Sequence, residues 1–269
     1  MEKPDDFVNL HYLSIFMFLA LPITALISYI IAVSLGHVEP GFPYISDVGA
    51  IAPESCIFSQ LMNMMTILMA VVVYVRYAQV KETIAISQMP NYWNVFNKFT
   101  LGVGLTATVG VSLLANFQVT LVFSVHLVGA VFAFVGSGFY LWLETIISYK
   151  MQPFGPSIPI IILRLAVSIG FTVCIFGVFI IPIFALKAFH GKNTLLWRSE
   201  DGGWGLHVTS AVCEWFCLIS FSIYILTFTN EFRGIQLSCP KVILKTDYIR
   251  KTYPIFTSFS ASTSPSHST

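Results

Sequence analysis

Residues 13–35 read LSIFMFLALPITALISYIIAVSL, a run of 23 residues that contains no aspartate, glutamate, lysine or arginine. An α-helix needs about 20 apolar residues to cross the hydrocarbon core of a bilayer. The run is therefore predicted to be a membrane-spanning helix. The residues before it, MEKPDD, are acidic, and no small-x-small cleavage site follows, so we expect an uncleaved span and not a signal peptide.

Five further apolar runs of similar length follow along the chain. They are continuously apolar and do not alternate with polar residues, which favours helices over membrane strands. The sequence therefore predicts an all-α, polytopic membrane protein with a bundle of six transmembrane helices. The predicted spans are residues 13–35, 57–77, 99–117, 119–143, 160–186 and 207–229.

The amino-acid composition agrees with this fold class. Hydrophobic residues make up 56% of the 269 residues and charged residues only 10%, whereas soluble domains carry about 25% charged residues. A soluble enzyme, a nucleic-acid-binding domain and a disordered chain are excluded, and no nucleic acid is expected as a partner. We expect a six-span membrane domain over residues 1–237 and a largely disordered, Ser/Thr-rich tail over residues 238–269.

The distribution of basic residues predicts the orientation in the membrane. Eleven of the 14 lysines and arginines lie in segments that share one side with the two termini. The opposite side has only Lys187, Lys192 and Arg198, and its first loop, residues 36–55, has none. Because cytoplasmic loops are enriched in lysine and arginine, both termini are predicted to be cytoplasmic. The opposite side is called the outer side below.

Three polar residues lie at a similar depth in the predicted spans. Asn63, His126 and Glu214 each follow the outer end of a span by six or seven residues, which places them about 10 Å below the outer interface. A carboxylate in hydrocarbon must be protonated, hydrated or paired, so we expect the three side chains to converge inside the bundle. Three interpretations stay open: a structural hydrogen-bond network, a proton or ion relay, and a binding site for a lipid headgroup.

Other residues of the spans also have alternative interpretations. Glu144 and Arg164, at the inner ends of two spans, either pair with each other or extend to water. Cys56 and Cys213 lie near the outer side and either form a disulfide or stay free thiols. Small residues at four-residue spacing predict close packing of the third and fourth spans within one subunit, with a dimer seam as the alternative. These are Gly102, Thr106 and Gly110 on one span and Gly129, Ala133 and Ser137 on the other.

Motifs that support catalysis are lacking from the sequence. There is no His-Glu-x-x-His, no Gly-x-Ser-x-Gly, no P-loop and no Cys-x-x-Cys. His37, His190 and His207 are scattered along the outer segments without the short spacing of metal ligands. We therefore expect a protein that is not an enzyme, with no cofactor and no metal site.

The first outer loop carries the most specific motif of the chain. Its prolines are expected to stiffen the loop, its glycine to permit a positive φ, and its serine and aspartate to bond nearby backbone amides. The motif therefore predicts an ordered cap on the outer mouth of the bundle. Its residues are Pro43, Tyr44, Ile45, Ser46, Asp47, Gly49, Pro53 and Glu54.

This loop resembles the Pro-Tyr-Ile-Ser-Asp-x-Gly … Pro-Glu stretch of the damage-regulated autophagy modulator (DRAM) proteins, in the wider FRAG/DRAM/SFK family. The resemblance covers about residues 13–237 and implies six spans. Weaker local matches lie in the second and sixth spans. These matches are Tyr74-Val75-Arg76-Tyr77, Glu214-Trp215 and Leu226-Thr227-Phe228.

The resemblance implies a lysosomal or endosomal membrane protein that modulates autophagy, with a link to cell death in some members, and that binds membrane lipids or other membrane proteins. Two alternatives remain open. One is a transporter or channel that uses the Asn63, His126 and Glu214 cluster. The other is a plasma-membrane organiser of phosphoinositide signalling, a role that the resemblance implies through more distant members.

The tail segment Tyr253-Pro254-Ile255-Phe256 fits the tyrosine-plus-bulky-apolar pattern that sorting adaptors read in extended form, and proline favours that form. If Tyr253 and Phe256 form a sorting signal, Tyr253→Ala is expected to raise the amount of the protein at the cell surface and to lower its amount in lysosomes. Surface biotinylation and lysosomal co-localisation measure both, with Tyr248→Ala as the control. An unchanged distribution would remove the signal.

Overall fold

The computed structural model describes residues 6–7 and 9–238. Within these residues the chain forms α-helices joined by short loops. The helices are α1 (His11–Ser34), α2 (Ile45–Val48), α3 (Glu54–Ile86), α4 (Tyr92–Asn116), α5 (Phe123–Ala130), α6 (Gly136–Lys150), α7 (Ile158–Ala188), α8 (Trp204–Leu226) and α9 (Thr229–Arg233). A π-helical segment, Val131–Val135, joins α5 to α6, and two 3₁₀ turns, Thr194–Leu196 and Ser199–Asp201, precede α8.

Six helical stretches are long and apolar enough to cross a membrane, which confirms the predicted all-α, six-span fold. Several helices continue past the predicted inner ends. The helix α3 ends at Ile86 instead of residue 77 because its last turns still have a packing surface. Val80 and Ile84 are buried there against Ile147 of α6 and Met151 just after it, so burial continues beyond the apolar run that marks the span.

The six spans pack in a closed ring around a common centre. Each span packs against two others, in the order α1, α3, α4, the continuous α5–α6 span, α7 and α8, and α8 returns to α1. The first and last spans are therefore neighbours. This arrangement leaves all six helices with one face toward the ring centre and one toward the surroundings.

The α4–α5 hairpin turns through residues 117–122, so the fourth span begins four residues later than predicted. Close packing is confirmed at Gly110, where an added Cβ would lie 2.6 Å from the Cβ of Phe132. Gly129 is likewise in contact with Leu114. Gly102 and Thr106, from the same predicted stripe, are exposed instead. The small-residue stripe thus packs helices only in its outer part.

The cysteines of the described residues, Cys56, Cys174, Cys213 and Cys217, are all free. The Cys56–Cys213 disulfide that the sequence left open is therefore not formed. Cys56 is exposed on α3, whereas Cys213 on α8 contacts Gly177 of α7. Helix α1 packs between α3 and α8, so it separates the two helices that carry these thiols.

The helical bundle comprises residues 9–235, and the chain ends form a separate unit. In that unit β1 (Asp6–Phe7) pairs antiparallel with β2 (Leu237–Ser238), with Asp6 opposite Ser238. The predicted tail lies outside the described residues from position 239 onward, and so do Tyr253 and Phe256 of the sorting pattern.

The two glycines of α4 give a matched test of this packing. Gly110→Ala is expected to lower the free energy of unfolding by about 1–3 kcal/mol because the methyl group overpacks the contact with Phe132. Gly102→Ala, where nothing lies within 4 Å of the added Cβ, is the control and should not lower it. Thermal unfolding of the two purified variants in detergent measures the difference. Equal melting temperatures would show that the hairpin tolerates the methyl group.

Candidate functional site

The first outer loop lies across the outer end of α8. The backbone amide of Ile45 donates to Oε2 of Glu214 at 2.8 Å. The indole nitrogen of Trp215 donates to the carbonyl oxygen of Pro43 at 3.0 Å, and the hydroxyl of Tyr44 is hydrogen-bonded to that of Ser210. Three consecutive loop residues thus bond to one helix, and the predicted cap is formed. We call residues 40–54 the outer cap.

Contacts with α1 and α3 hold the sides of the outer cap. The hydroxyl of Tyr29 donates to the carbonyl oxygen of Pro40 at 2.9 Å. Gly49 lies against Phe58, where an added Cβ would come within 2.6 Å of the ring. The expected positive φ at Gly49 is wrong, since its φ is −107°. The position instead excludes a side chain because the ring of Phe58 occupies the space.

A buried carboxylate anchors the end of the outer cap. Glu54, the first residue of α3, is fully buried, and its Oε1 lies 2.6 Å from Nδ1 of His37. Pro53 immediately precedes the helix. On the side of the third outer loop, the amide of Glu39 donates to the carbonyl oxygen of Leu195 at 3.1 Å. The two outer loops are therefore joined to each other as well as to the helices.

An aromatic cluster surrounds His207 at the start of α8. Its ring stacks on Trp197 at 4.5 Å and on Trp204 at 5.6 Å between centroids, and Tyr44 approaches edge-on at 4.8 Å. His207 is buried. It therefore packs as an aromatic residue here, and the described residues contain no group of three or more His, Cys, Asp or Glu side chains placed to hold a metal.

Two titratable groups of the outer cap are perturbed by burial. The carboxyl of Asp47 is buried in α2, and its burial, followed by the nearby charge of Glu214, raises the pKa of Asp47 to about 8. The backbone amide of Tyr44 donates to this carboxyl and acts in the opposite direction. Burial likewise raises the pKa of the Tyr44 phenol. The outer cap therefore favours the neutral form of both groups.

A cavity of about 90 Å³ lies beneath the outer cap, at the ring centre. All six spans contribute side chains to it, and Ile45 of the cap and Glu214 form part of its lining. The hydrogen bond between these two residues therefore lies at the cavity wall. Apart from Glu214 and Ser137 the lining is apolar or sulfur-containing; examples from the six spans are Leu21, Met62, Leu114, Ala133, Phe171 and Phe221.

The other two residues of the predicted polar cluster have separate partners. Asn63 accepts from the hydroxyl of Ser112 at 2.9 Å and exchanges amide hydrogen bonds with Asn116. Nδ1 of His126 donates to the carbonyl oxygen of Phe117 at 2.7 Å. Among the described residues no hydrogen bond joins Asn63, His126 and Glu214. The first two hold the α3–α4–α5 contacts, and only Glu214 reaches the cap and the cavity.

Four charged residues form a buried network at the inner end of the bundle. Arg76 of α3 donates to Glu144 of α6 at 2.8 Å and to Glu231 of α9 at 2.6 Å. Arg164 of α7 also pairs with Glu231 and donates to Ser148 at 2.6 Å. Both arginine side chains are fully buried. The formal charges of the four residues sum to zero, as a buried network requires.

The sequence did not identify Glu231 as a member of this network. Of the two alternatives for Glu144 and Arg164, neither holds: they do not pair with each other, and neither reaches water. Glu144 instead bonds Arg76, and Glu231 of α9 supplies the carboxylate that pairs with Arg164. The sequence does contain a signal for such a network: the inner ends of four helices carry two acidic and two basic residues. The ring of Phe228 lies between the two guanidinium groups, 5.0 Å from Arg76 and 4.7 Å from Arg164.

These features define a multi-pass α-helical membrane protein whose outer end is covered by its first outer loop and whose inner end is held by buried ion pairs. The chain belongs to the Frag1/DRAM/Sfk1/Cwh43P family, whose N-terminal-domain model matches residues 9–235. The resemblance seen in the first outer loop is thereby confirmed.

Named relatives agree over most of the chain. DNA damage-regulated autophagy modulator protein 1 of Xenopus laevis is 35% identical over 79% of this chain and 86% of its own length. Protein 2 of the same name from Homo sapiens is 36% identical over 78% of this chain and 79% of its own. The modulator of macroautophagy TMEM150B of Danio rerio is 29% identical over 77% and 79%. No solved structure matches.

Removing a carboxylate from the inner network tests its contribution to stability. Glu231→Ala leaves two buried guanidinium groups with one carboxylate, so the free energy of unfolding is expected to fall by about 3–5 kcal/mol. Glu200→Gln, on an exposed carboxylate of the third outer loop, is the control. Thermal unfolding in detergent measures both. A Glu231→Ala protein that melts with the wild type would show that the network does not hold the inner end.

Proposed function

We propose that this protein is a non-enzymatic modulator of autophagy in lysosomal or endosomal membranes, and that it acts by binding the end of a lipid chain in the central cavity. The names of its relatives support the first part of the proposal. The cavity beneath the family's loop motif is the observation that carries the second part.

The size and the lining of the cavity select the chemistry of the ligand. Its volume of about 90 Å³ is several times the roughly 10–15 Å³ that holds one water molecule on the same measure. The space therefore accepts several carbons of an acyl chain, and its largely apolar lining disfavours a charged headgroup. An apolar cavity of this kind stays dry and gains free energy when apolar atoms fill it. Met62 and Met69 in the lining can adapt their shape to such a chain.

A transporter or channel is the less favoured alternative. A polar pathway needs protonatable or hydrated groups along the helix axis. Glu214 lines the cavity, but Asn63 and His126 bond elsewhere and do not belong to its lining. Below Glu214 the lining is apolar as far as Met69 and Phe221, apart from Ser137. This arrangement supports a ligand-binding regulator over a pump.

Membrane lipids are the proposed ligands, and other membrane proteins and sorting adaptors are proposed as further partners. The plasma membrane is the alternative location, where the protein would organise phosphoinositide signalling. Localisation of the endogenous protein, measured together with autophagic flux in a knockout, separates the two locations.

Lipid binding is tested with a photoactivatable phosphatidylcholine that carries its diazirine near the end of one acyl chain. The purified full-length protein is reconstituted in vesicles that contain this probe and is then irradiated. Labelled peptides are expected from the cavity faces of α3 and α8, because the chain end lies inside the ring. Ser137→Leu fills part of the cavity and is expected to remove more than half of that labelling.

Thr106→Leu is the matched control, because Thr106 is an exposed residue on a neighbouring span. It should keep the labelling of the cavity unchanged. Where Ser137→Leu fails to fold, Cys217→Met fills the same cavity from α8. Labelling confined to the surface of the bundle in the wild type would overturn the proposal. In knockout cells, Ser137→Leu should restore less autophagic flux than Thr106→Leu at equal expression.

A further inference from the structure

Asp47 is a buried carboxyl of the outer cap that does not belong to the lining of the lipid cavity. It lies in α2, two residues after Ile45, and is 9% exposed. Its own hydrogen-bond donor is the neutral backbone amide of Tyr44, and the charged group that acts on it is Glu214, which has the same sign. The loop that carries it contains no lysine or arginine. An ionised Asp47 would therefore be buried without a compensating cation.

The surroundings of the outer cap contain few groups that could compensate this charge. The basic groups nearby are already engaged: His37 bonds Glu54, and Arg198 pairs with Glu39 at 3.3 Å on the surface. His207 is enclosed by aromatic rings. On the elements packed against the cap, the titratable and charged groups that contact the first outer loop or act on its buried groups are Tyr29 of α1, His37, Glu39 and Tyr44 of the loop, Glu54 of α3, Arg198 of the third outer loop, and His207, Cys213 and Glu214 of α8.

We propose that the outer cap is an acid-closed latch: protonated Asp47 lets residues 43–47 seat on α8, and loss of that proton releases them and opens the outer end of the cavity. The chemistry is the transfer of one proton between the Asp47 carboxyl and water: the carboxyl O–H bond breaks and an O–H bond forms on water, and protonation reverses the step. The role of the latch in ligand access rests on the proposed function, whereas the opening itself does not.

The direction of the pH dependence follows from the two states of Asp47. In the closed cap burial and the charge of Glu214 raise its pKa to about 8, against an ordinary value of 3.8. The closed state therefore holds the proton more tightly than the open state. Its stability is fully present in acid below the ordinary value and is lost as the pH rises toward about 8. With the cytoplasmic termini that we predict, the cap faces a lumen or the cell exterior, so it closes in acidic compartments and loosens at neutral pH.

Hydrogen–deuterium exchange of the full-length protein in nanodiscs tests the latch directly, because the amide of Ile45 is protected by its bond to Glu214. Peptides that cover residues 40–50 are followed from pH 5 to pH 8, with correction for the intrinsic pH dependence of exchange. Because opening is coupled to the loss of one proton, the protection of these peptides against exchange can change by at most tenfold per pH unit. We expect protection to fall at least tenfold between pH 5 and pH 7.

Asp47→Asn removes the titrating group and is expected to keep the pH 5 level of protection at pH 7. Glu39→Gln changes a carboxylate of the same loop that is part of a surface ion pair, and it should keep the wild-type pH dependence. Wild-type protection that does not change with pH overturns the latch, whether or not Asp47→Asn folds. An unchanged pH dependence in a folded Asp47→Asn protein overturns the assignment to Asp47.

The lipid probe separates this proposal from the proposed function. A pH-dependent cap without labelling of the cavity would retain the latch and reject the lipid ligand. Labelling of the cavity with a pH-independent cap would reject the latch and retain the ligand. With both proposals correct, the exchange of the probe into the cavity is faster at pH 7 than at pH 5, and Asp47→Asn removes this difference.

Discussion

Two guanidinium groups lie fully buried at the inner end of a bundle that is otherwise largely apolar, and their pairing constrains where the helices meet. An unpaired buried charge costs several kcal/mol, so Arg76 and Arg164 require Glu144 and Glu231 at the same place. These four residues come from α3, α6, α7 and α9. One electrostatic requirement therefore fixes the inner ends of segments that are far apart in the sequence, including the short helix that follows the last span.

The outer end is closed by separate hydrogen bonds, aromatic contacts and one His37–Glu54 contact, without a network of buried arginines. The outer cap is held by single hydrogen bonds from Ile45 and Trp215 and by aromatic contacts around His207. Such a hydrogen bond contributes about 0.5–1.5 kcal/mol between neutral groups and about 1.5–3 kcal/mol to a charged carboxylate. The two ends of the bundle therefore differ in kind. The inner end is fixed, while the outer end can open at a moderate cost and carries Asp47, the buried carboxyl that we propose links opening to pH.

The sequence alone determined the fold class, the number of spans and the position of the cap. Runs such as residues 13–35 have no charged side chains, and a chain of this composition can bury them only in a bilayer. The loop motif from Pro43 to Glu54 was identified as a cap because prolines and short polar side chains act locally. The spacing of Gly110 and Gly129 likewise predicted a close helix pair. All of these inferences rest on properties of neighbouring residues.

Only the tertiary structure decided which polar side chains meet. Equal depth placed Asn63, His126 and Glu214 together, but depth does not specify the direction in which a side chain points around the helix axis. In the helix order of the ring, Asn63 contacts Ser112 of α4, whereas Glu214 contacts Ile45 of the outer cap. Glu231 was missed for the same reason, since its two arginine partners lie 67 and 155 positions away in the chain. Such contacts are set by how the helices are ordered and rotated in the ring, because no local pattern records which faces will be neighbours.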